Sequence, residues 1–444
     1  MIIKHINSST VIVESNDVKI LCDPWFVDGE YYGSWHIYPP LDLEKNNFDD
    51  IDYIYLSHIH PDHFSRKSFM ALKKNIPVLM HAYASPFLKM NVERMGFKAI
   101  ELEHNKKIIL KNNVSINILA ADNCNPELCA KFMGCGIIET KYKSTQIDSL
   151  CVISDNNFAV LNTNDCPYDL SEEAINAVLK QYKKIDFLLV GYGGAGPYPQ
   201  CFDLSDQERL KAEKGKIIQF LSQAEKYIDK IKPDFYMPFA GTYTLGGNLY
   251  NLDERKAVPD ITYAKEYLMN SQVINSNSKC ILLNTNSYFD LTTKKESKKY
   301  IPVDLNEKKI YMEEVLSKIK FDYEYDEKPT IGQIKELIEP AYLRMEEKRK
   351  EISFSTDTIW YIKIDDNNLI EISMNGSGYQ IVNKVNKSKN YVVYELDLRL
   401  LFNILKGPRY AHWNNAEIGS HINFKRSPNI FERGIYHSIN FFHS

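Results

Sequence analysis

Short apolar runs separated by polar turns occupy the first 120 residues and predict a strand-rich N-terminal part. Ser9 to Glu14 and Val18 to Cys22 are apolar or β-branched and flank Asn16-Asp17, a pair typical of a hairpin turn. The same reasoning predicts strands at Asp52 to Ser57, Pro77 to Met80 and Ser115 to Ala120, and a helix through Phe69 to Leu72.

From about residue 150 to 290, apolar strands again alternate with helical patterns. Gln207 to Ile231 is amphipathic and charged on its outer side, which predicts a surface helix. Two halves of the chain, each with strands followed by helices, favour a β-sandwich flanked by helices over a doubly wound sheet. The other elements predicted here are strands at Leu150 to Ser154, Phe158 to Asn162 and Ile185 to Gly191, and a helix at Ser171 to Gln181.

The lysine-rich stretch Lys294 to Lys299 interrupts the apolar pattern and predicts a domain boundary. We therefore expect a catalytic domain over residues 1–290, a linker over 291–300 and a smaller α+β domain over 301–444. Elements predicted in that last part are a helix from Ile331 to Met345, a hairpin of Ile359 to Ile364 with Asn368 to Ser373, a strand at Tyr391 to Glu395 and a helix at Leu396 to Leu405.

The composition narrows the class of protein without identifying it. The 444 residues are 44% hydrophobic and 25% charged, ordinary globular values that exclude a wholly disordered or fibrous chain. Lys and Arg total 54 against 58 Asp and Glu, so no basic field attracts a nucleic acid polymer or a membrane surface. With no signal-peptide pattern and no long apolar run, we expect a cytoplasmic protein that acts on a small molecule.

Eight cysteines without a secretory signal favour reduced thiols over a disulfide framework. Three of them cluster as Cys124-x4-Cys129-x5-Cys135. This spacing differs from the usual CxxC of zinc sites, so buried free thiols are the favoured interpretation and a soft-metal site is the alternative.

The strongest chemical signal is the segment Leu56-Ser57-His58-Ile59-His60-Pro61-Asp62-His63, an HxHxDH pattern between a buried strand and a helix. Two imidazoles separated by one residue can face one metal ion, and the Asp and His that follow can face a second position a few ångströms away. A polar turn without metal is the alternative, but three histidines and an aspartate within six residues favour a metal site.

This chain resembles the metallo-β-lactamase superfamily, whose signature is HxHxDH after a strand, with one earlier and one later aspartate. Asp23, in Leu21-Cys22-Asp23-Pro24-Trp25, matches the earlier aspartate, and the resemblance implies that it supports the ligands. Asp165, after the strand that ends in Leu161-Asn162-Thr163, matches the later, bridging carboxylate. The resemblance implies an αββα sandwich with one or two Zn or Fe ions held by His58, His60, Asp62, His63 and Asp165.

Within the superfamily, the chain is most similar to the part of CMP-N-acetylneuraminate hydroxylases that follows their iron-sulfur domain. No Rieske-type Cys/His cluster stands at the N-terminus of this sequence, so oxygen chemistry would need electrons from a separate protein. The shared words are Asp23-Pro24-Trp25, the His-Pro-Asp-His motif, Leu161-Asn162-Thr163 with Asp165-Cys166, Gly193-Gly194-Ala195 and Pro238-Phe239-Ala240-Gly241.

The sequence departs from the dinuclear hydrolases of the superfamily at two ligand positions, where they carry further histidines. Asp122 stands near the first position and is its best substitute, because a carboxylate binds Zn²⁺ or Fe²⁺ better than an amide does. A loop residue that caps the backbone is an equally good interpretation of Asp122. The second position, near Pro238 to Tyr243, has no histidine, and His81 and His104 are more typical of structural histidines than of ligands.

Two glycine-containing segments are predicted to contact the substrate. Gly193 and Gly194 lie in a loop that can turn backbone N–H groups toward an anion, although a tight turn explains them equally well. The resemblance adds Gly241 and Tyr243 to this predicted substrate site. The histidines of the C-terminal part could line the pocket, although a structural role is favoured for each: His412, His421, His437 and His443.

Three functions follow from these residues. The first is a hydrolase that uses metal-bound hydroxide on a polar sugar- or nucleotide-like ester, amide or phosphodiester, with Asp62 as general base where the second ion is absent. The second is a non-haem iron oxygenase, since two histidines and one carboxylate suit Fe²⁺ and O₂; it would need an electron-transfer partner. The third is a ligand-binding protein that has lost turnover, as the two absent histidines would allow.

Overall fold

The computed structural model of the chain describes residues 1–83, 85–121 and 148–444. Its first 300 residues form two large sheets and a set of helices on their outer faces. The strands are β1 (Ile2–Asn7), β2 (Thr10–Ser15), β3 (Val18–Cys22), β4 (Trp35–His36), β5 (Tyr53–Tyr55), β6 (Val78–His81), β7 (Ala99–Leu102), β8 (Ile108–Ile109), β9 (Ser115–Ala120), β10 (Ser149–Ser154), β11 (Ala159–Asn162), β12 (Phe187–Gly191), β13 (Phe235–Phe239), β14 (Thr244–Leu245), β15 (Lys279–Cys280), β16 (Tyr288–Asp290) and β17 (Lys295–Glu296).

The same part of the chain also contains helices and one short turn, which is numbered α1. The turn α1 is left-handed at both of its central tyrosines. The helix bounds are α1 (Glu30–Gly33), α2 (Arg66–Met70), α3 (Phe87–Arg94), α4 (Tyr168–Gln181), α5 (Asp206–Ile231) and α6 (Ile261–Met269).

The two sheets pack face to face. The first has the strand order β17-β16-β1-β2-β3-β5-β6-β7, and the second has the order β15-β13-β12-β11-β10-β9-β8. Alternate residues of a strand point to opposite faces, so Cys151 and Ile153 of β10 enter the core between the sheets while Leu150 and Val152 pack toward α4 and α5. Phe69 and Leu88 cover the outer face of the first sheet. These four layers confirm the predicted αββα sandwich.

The long helix α5 agrees closely with the helix predicted from the sequence pattern. It begins with a capping box in which Ser205 accepts from the N–H of Glu208 and the Glu208 side chain accepts from the N–H of Ser205. Its buried residues include Leu221, Ala224 and Ile228, which recur at helical spacing. Ala224 and Ile228 pack on the second sheet. The predicted helix Gln207 to Ile231 is therefore present with nearly the predicted bounds.

Residues 291–300, predicted as a linker, contain the edge of the first sheet. Strand β17 pairs antiparallel with β16, and β16 pairs with β1. Both residues of β17 are exposed, and charged side chains on an edge strand are a common protection against unwanted strand pairing. The lysine-rich stretch thus forms part of a sheet edge. The predicted domain boundaries remain a prediction.

The C-terminal part is a smaller α+β unit, as predicted. Its sheet has the order β20-β19-β18-β21-β22, with helices packed around it. Its elements are α7 (Leu305–Glu314), α8 (Ile331–Glu351), β18 (Ile359–Lys363), β19 (Leu369–Ser373), β20 (Gly378–Val382), β21 (Tyr391–Glu395), α9 (Leu398–Leu405), α10 (Trp413–Ile418), β22 (Asn423–Ser427) and α11 (Arg433–Ile439).

This unit shares a hydrophobic core with the sandwich. The Phe202 ring, from the loop before α5, stacks on the Phe424 ring of β22 with centroids 4.5 Å apart. Backbone hydrogen bonds join the same segments: Phe424 N–H donates to Cys201 O at 2.8 Å, and Asp203 N–H donates to Phe424 O at 2.9 Å. Among the described residues, no helix is long and apolar enough to cross a membrane.

One partly buried carboxyl of the C-terminal unit should make the stability of the protein depend on pH. Burial raises the pKa of Glu417, on α10, to about 8, and Tyr394 Oη donates to its Oε1 at 3.0 Å. The folded state therefore holds this proton more tightly than the unfolded chain does. Its stabilising contribution is complete below the ordinary carboxyl pKa and is lost as the pH rises through about 8.

The neutral variant Glu417→Gln should remove this loss. Between pH 5 and pH 9 the free energy of unfolding of the wild type should fall by a few kcal/mol relative to that of the variant. Urea unfolding of both proteins at pH 5, 7 and 9 measures the difference. Parallel pH profiles would show that Glu417 does not titrate in this range.

Candidate metal centre

The candidate residues lie where several strands end at one rim of the sandwich. Strands β3 and β5 are parallel neighbours in which Cys22 pairs with Tyr55. Asp23 therefore leaves β3 beside the segment of residues 56–63 that leaves β5. Asp165 follows β11 of the opposite sheet, so the two sheets contribute to the same site.

The Tyr55 side chain ties the two sheets together below this rim. Its Oη donates to Ser149 O at 3.0 Å and accepts from Asn164 Nδ2 at 3.2 Å. The Ser149 hydroxyl in turn donates to Ser57 O at 3.0 Å. The backbone before His58 is thus fixed relative to the strands that carry Asp165.

The imidazoles of His58 and His60 face each other. His58 Nε2 lies 2.9 Å from His60 Nδ1, and His58 is fully buried. On the other side of its ring, His58 Nδ1 lies 3.0 Å from Asp148 Oδ1 and 2.9 Å from Ser57 Oγ. A carboxylate at this second nitrogen is the arrangement that orients a metal-ligating histidine.

Asp62, His63 and Asp165 form the other half of the cluster. His63 Nε2 lies 3.3 Å from Asp165 Oδ2 and 3.6 Å from Asp62 Oδ2. One ligand atom from each of His58, His63 and Asp165 lies within 4.8 Å of the others. Imidazole nitrogens and carboxylate oxygens that converge in this way fit a Zn or Fe ion by their chemistry.

Asp23 supports this cluster from below. It is fully buried, and its Oδ1 accepts from Ser57 N–H at 2.8 Å while its Oδ2 accepts from Ser57 Oγ at 2.7 Å. Its Oδ2 also lies 2.9 Å from His63 Nδ1. This contact places a proton on Nδ1 and leaves Nε2 of His63 free to face Asp62 and Asp165.

The pKa values show that the carboxylates favour positive charge at this site. Burial alone would lower the pKa of His63, but the three surrounding carboxylates raise it well above its usual range, Asp165 most strongly. Burial likewise opposes protonation of His58, yet Asp148 raises its pKa. Burial and the charge of His58 lower the pKa of His60. A bound metal cation would replace the protons that these imidazole nitrogens otherwise hold.

Two residues of the site were missed from the sequence. Asp148 immediately precedes the buried strand β10 and contacts His58. An acidic residue next to a buried strand is the one weak sequence signal that could have indicated this role. Tyr31 donates from its Oη to Asp62 Oδ1 at 2.6 Å, and nothing in the sequence around Tyr31 indicates a contact so distant along the chain.

Several other predicted residues are not part of the described cluster. Asp122 lies outside the described residues, as do Cys124, Cys129 and Cys135. His81 and His104 contact each other, with Nε2 of His81 3.2 Å from Nδ1 of His104. This pairing agrees with the structural interpretation of both histidines.

Each of the four residues predicted to contact substrate has a tight packing environment. A Cβ on Gly194 would lie 2.0 Å from the Phe220 ring, and one on Gly241 would lie 2.7 Å from the Tyr192 ring. A Cβ on Gly193 would lie 3.3 Å from Gly241 Cα. The Tyr243 ring stacks on Trp35 with centroids 3.6 Å apart. Close packing explains these residues, and their contact with substrate stays a prediction.

Comparison with known proteins places the N-terminal part in a family. Residues 2–124 match the model described as the beta-lactamase superfamily domain. The similarity to this superfamily therefore applies to the N-terminal part of the chain. Similarity to this domain leaves the reaction of this chain open.

Two curated proteins are similar to about half of this chain. A Rieske 2Fe-2S iron-sulfur protein of Mycolicibacterium smegmatis is 26% identical over 248 residues, which are 54% of this chain and 43% of the relative. The cytidine monophosphate-N-acetylneuraminic acid hydroxylase of Danio rerio is 22% identical over 54% of this chain and 38% of the relative. The chain therefore matches less than half the length of these relatives.

Solved structures with similarity to this chain include a hydroxylase and a hydrolase. CmlA, a diiron beta-hydroxylase from Streptomyces venezuelae, is 14% identical and covers 63% of this chain and 52% of its own, with a TM-score of 0.41. An isothiocyanate hydrolase from Delia radicum gut bacteria is 9% identical and covers 65% of this chain and 99% of its own, with a TM-score of 0.45.

Proposed function

We propose that the chain is a metal-dependent hydrolase that acts on a polar sugar- or nucleotide-like substrate. The observation that carries this proposal is the convergence of His58 Nε2 and His60 Nδ1, 2.9 Å apart, beside the Asp62, His63 and Asp165 cluster. His58, His60 and Asp165 would hold one ion, and Asp62, His63 and Asp165 would hold a second. When bound, such an ion lowers the pKa of water and polarises an oxygen of the substrate.

Asp62 is the side chain best placed to handle a proton. Tyr31 Oη donates to its Oδ1, which fixes the carboxylate and leaves Oδ2 on the side of His63. Ser9 Oγ also donates to the backbone oxygen of Asp62 at 2.9 Å, so the loop itself is anchored. Asp62 would act as general base toward water if the second ion position is empty.

A second candidate function is an iron-dependent hydroxylase. The curated relatives that carry the names Rieske iron-sulfur protein and CMP-N-acetylneuraminic acid hydroxylase favour it. Two histidines and a carboxylate are the ligands that Fe²⁺ uses in many oxygenases. This activity would require electrons from an iron-sulfur partner, and the relatives' hydroxylase name supports a nucleotide sugar as substrate.

Reconstitution without oxygen separates the two candidates. The protein freed of metal is loaded with Zn²⁺ or with Fe²⁺ in the absence of oxygen and supplied with bis(p-nitrophenyl) phosphate, p-nitrophenyl acetate and a cytidine monophosphate sugar. Cleavage is measured first, and O₂ is then added. Metal-dependent release of nitrophenolate or of cytidine monophosphate supports the hydrolase. Rapid oxygen uptake and a new visible absorption band in the Fe²⁺ protein, without cleavage, support the hydroxylase.

The matched control for that experiment is Asp366→Asn, because this side chain is 91% exposed and lies in the C-terminal unit. It should leave both activities unchanged. A wild-type protein that holds less than about 0.2 metal ions per chain after loading would contradict both candidate functions, since each needs a resident ion.

A further inference from the structure

The turn that holds Asp62 makes strained contacts with the C-terminal unit. Tyr31, in α1, donates from its Oη to Asp62 Oδ1 at 2.6 Å. Tyr31 and Tyr32 have φ values of 48° and 60°, in the left-handed region that bulky residues rarely adopt. A left-handed backbone at two consecutive tyrosines raises the free energy of this turn, so contacts with the surrounding structure must hold it in place.

His421 of the C-terminal unit contacts Tyr31 directly. Its Nε2 lies 2.7 Å from Tyr31 O, and its Nδ1 lies 3.1 Å from Tyr323 Oη. A carbonyl oxygen can only accept, so the proton of the neutral ring lies on Nε2, and the Tyr323 hydroxyl donates to Nδ1. Burial lowers the pKa of His421 to about 4, which agrees with a neutral ring at pH 7. Both nitrogens of this ring are therefore hydrogen-bonded, and the ring orientation is fixed.

Close packing keeps the C-terminal unit against the turn. A Cβ on Gly419 would lie 2.8 Å from His421 Cδ2 and 2.9 Å from Tyr31 Cβ, so a glycine at this position allows the close approach of the two residues. The neighbouring Tyr32 adds two hydrogen bonds: its Oη accepts from His412 N–H at 2.7 Å and donates to His412 O at 3.3 Å. The C-terminal unit thus holds both left-handed tyrosines.

These contacts form a continuous path to the metal centre. His421 fixes the backbone of Tyr31, and the Tyr31 hydroxyl fixes Oδ1 of Asp62. The other carboxylate oxygen of Asp62 lies 3.6 Å from His63 Nε2. The orientation of the Asp62 carboxylate therefore depends on a hydrogen bond whose donor is held by the other unit of the chain.

We propose that His421 is a positioning residue of the metal centre, which orients the Asp62 carboxylate toward the second ion through Tyr31. The inference rests on the proposed metal-dependent function and deepens it, because it makes ion binding by Asp62, His63 and Asp165 depend on the C-terminal unit. The first ion position, at the two facing imidazoles, lies outside this path and should bind its ion independently of His421.

Two substitutions separate the two ends of the His421 side chain. The amide nitrogen of His421→Gln reaches the position of Nε2 and can donate to Tyr31 O. The amide oxygen of His421→Asn replaces Nδ1 as the acceptor for Tyr323, but this variant leaves Tyr31 O without the donor. The proposed role distinguishes the two variants, whereas a general loss of packing would affect both.

A Co²⁺ titration followed by visible absorption measures the two ion positions in each protein. All proteins should bind the first equivalent with similar affinity. Tyr31→Phe removes the hydroxyl that holds Asp62 and should bind the second equivalent about tenfold or more weakly than the wild type. His421→Asn acts one contact further away and should weaken the second equivalent by roughly 3–10-fold, while His421→Gln should stay within about twofold of the wild type.

A double substitution tests whether the effect of His421 passes through Tyr31. Adding His421→Asn to Tyr31→Phe should weaken the second Co²⁺ no further, because the hydroxyl that His421 positions is already absent. A second-ion affinity in His421→Asn equal to that of the wild type would overturn the proposal. An equal loss in His421→Gln, or a further loss in the double variant, would overturn it as well.

Gly419→Ala provides another variant that leaves the His421 ring intact. Its methyl group would push Tyr31 and His421 apart, so the second Co²⁺ should again bind several-fold more weakly, and unchanged binding would overturn the proposal. A wild-type protein that binds a single Co²⁺ would also overturn it and would leave the metal-dependent function intact. A wild-type protein that binds no Co²⁺ would refute that function itself, and the role of His421 with it.

Discussion

Replacing His58 or His60 with alanine should remove the bound metal ion. Each imidazole contributes one of two facing nitrogens, and the loss of one ligand from such a set weakens metal binding by at least about 100-fold. Elemental analysis of the purified variants should then find about one ion per chain fewer than in the wild type, because the ion that His58 and His60 would hold is lost during purification. Any hydrolysis or oxygen uptake should disappear with the ion.

The control for these variants is His104→Gln. His104 belongs to the other histidine pair, with His81, and is not part of the described metal cluster. Its substitution should leave the metal content unchanged. Equal metal loss in His104→Gln and His58→Ala would contradict the assignment of the ligands, since it would indicate general unfolding or a site at the wrong histidines.

Asp23→Asn should weaken metal binding by about 10–100-fold without removing a ligand. Both oxygens of Asp23 accept hydrogen bonds, from the backbone and hydroxyl of Ser57 and from His63 Nδ1. An asparagine has one oxygen, so either Ser57 or His63 loses its acceptor. An amide nitrogen facing His63 would favour the tautomer with the proton on Nε2, which cannot bind the ion.

Competition with a metal chelator of known affinity measures this loss, and circular dichroism checks that the fold persists. The exposed Asp366→Asn again supplies the matched control. If Asp23→Asn bound metal as tightly as the wild type, the orientation of His63 would not depend on Asp23.

The HxHxDH segment could be predicted from its pattern, and Asp23 and Asp165 from the superfamily resemblance, whereas contacts outside these motifs could not. The HxHxDH segment and Asp165 follow strands whose apolar runs are visible in the sequence, and the structure places them at one rim. The contact of Tyr32 with His412 spans 380 positions and leaves no periodic signal. Asp148 was missed because it lies before the N-terminal end of β10, whereas the predicted ligands follow the C-terminal ends of strands.

The edge strand of the first sheet, β17, shows that composition alone also limits the prediction of the fold. Lys295 and Glu296 are exposed, as expected of a linker, yet they pair with β16. Charged residues suit both a solvated segment and a protected sheet edge, so composition alone does not separate the two. The strand β10, by contrast, was predicted from its apolar run at Leu150 to Ser154, and all six of its residues are buried.

The hydrogen bonds of Tyr55 have a consequence for which ions the protein accepts. The Tyr55 hydrogen bonds tie the strand before His58 to the strands that carry Asp148 and Asp165. The backbone therefore sets the distances between the ligands, and the metal ion does not. A rigid cage of mixed nitrogen and oxygen donors discriminates among ions by radius and coordination geometry. Tyr55→Phe should therefore broaden selectivity, and allow larger cations such as Cd²⁺ to compete more effectively with Zn²⁺.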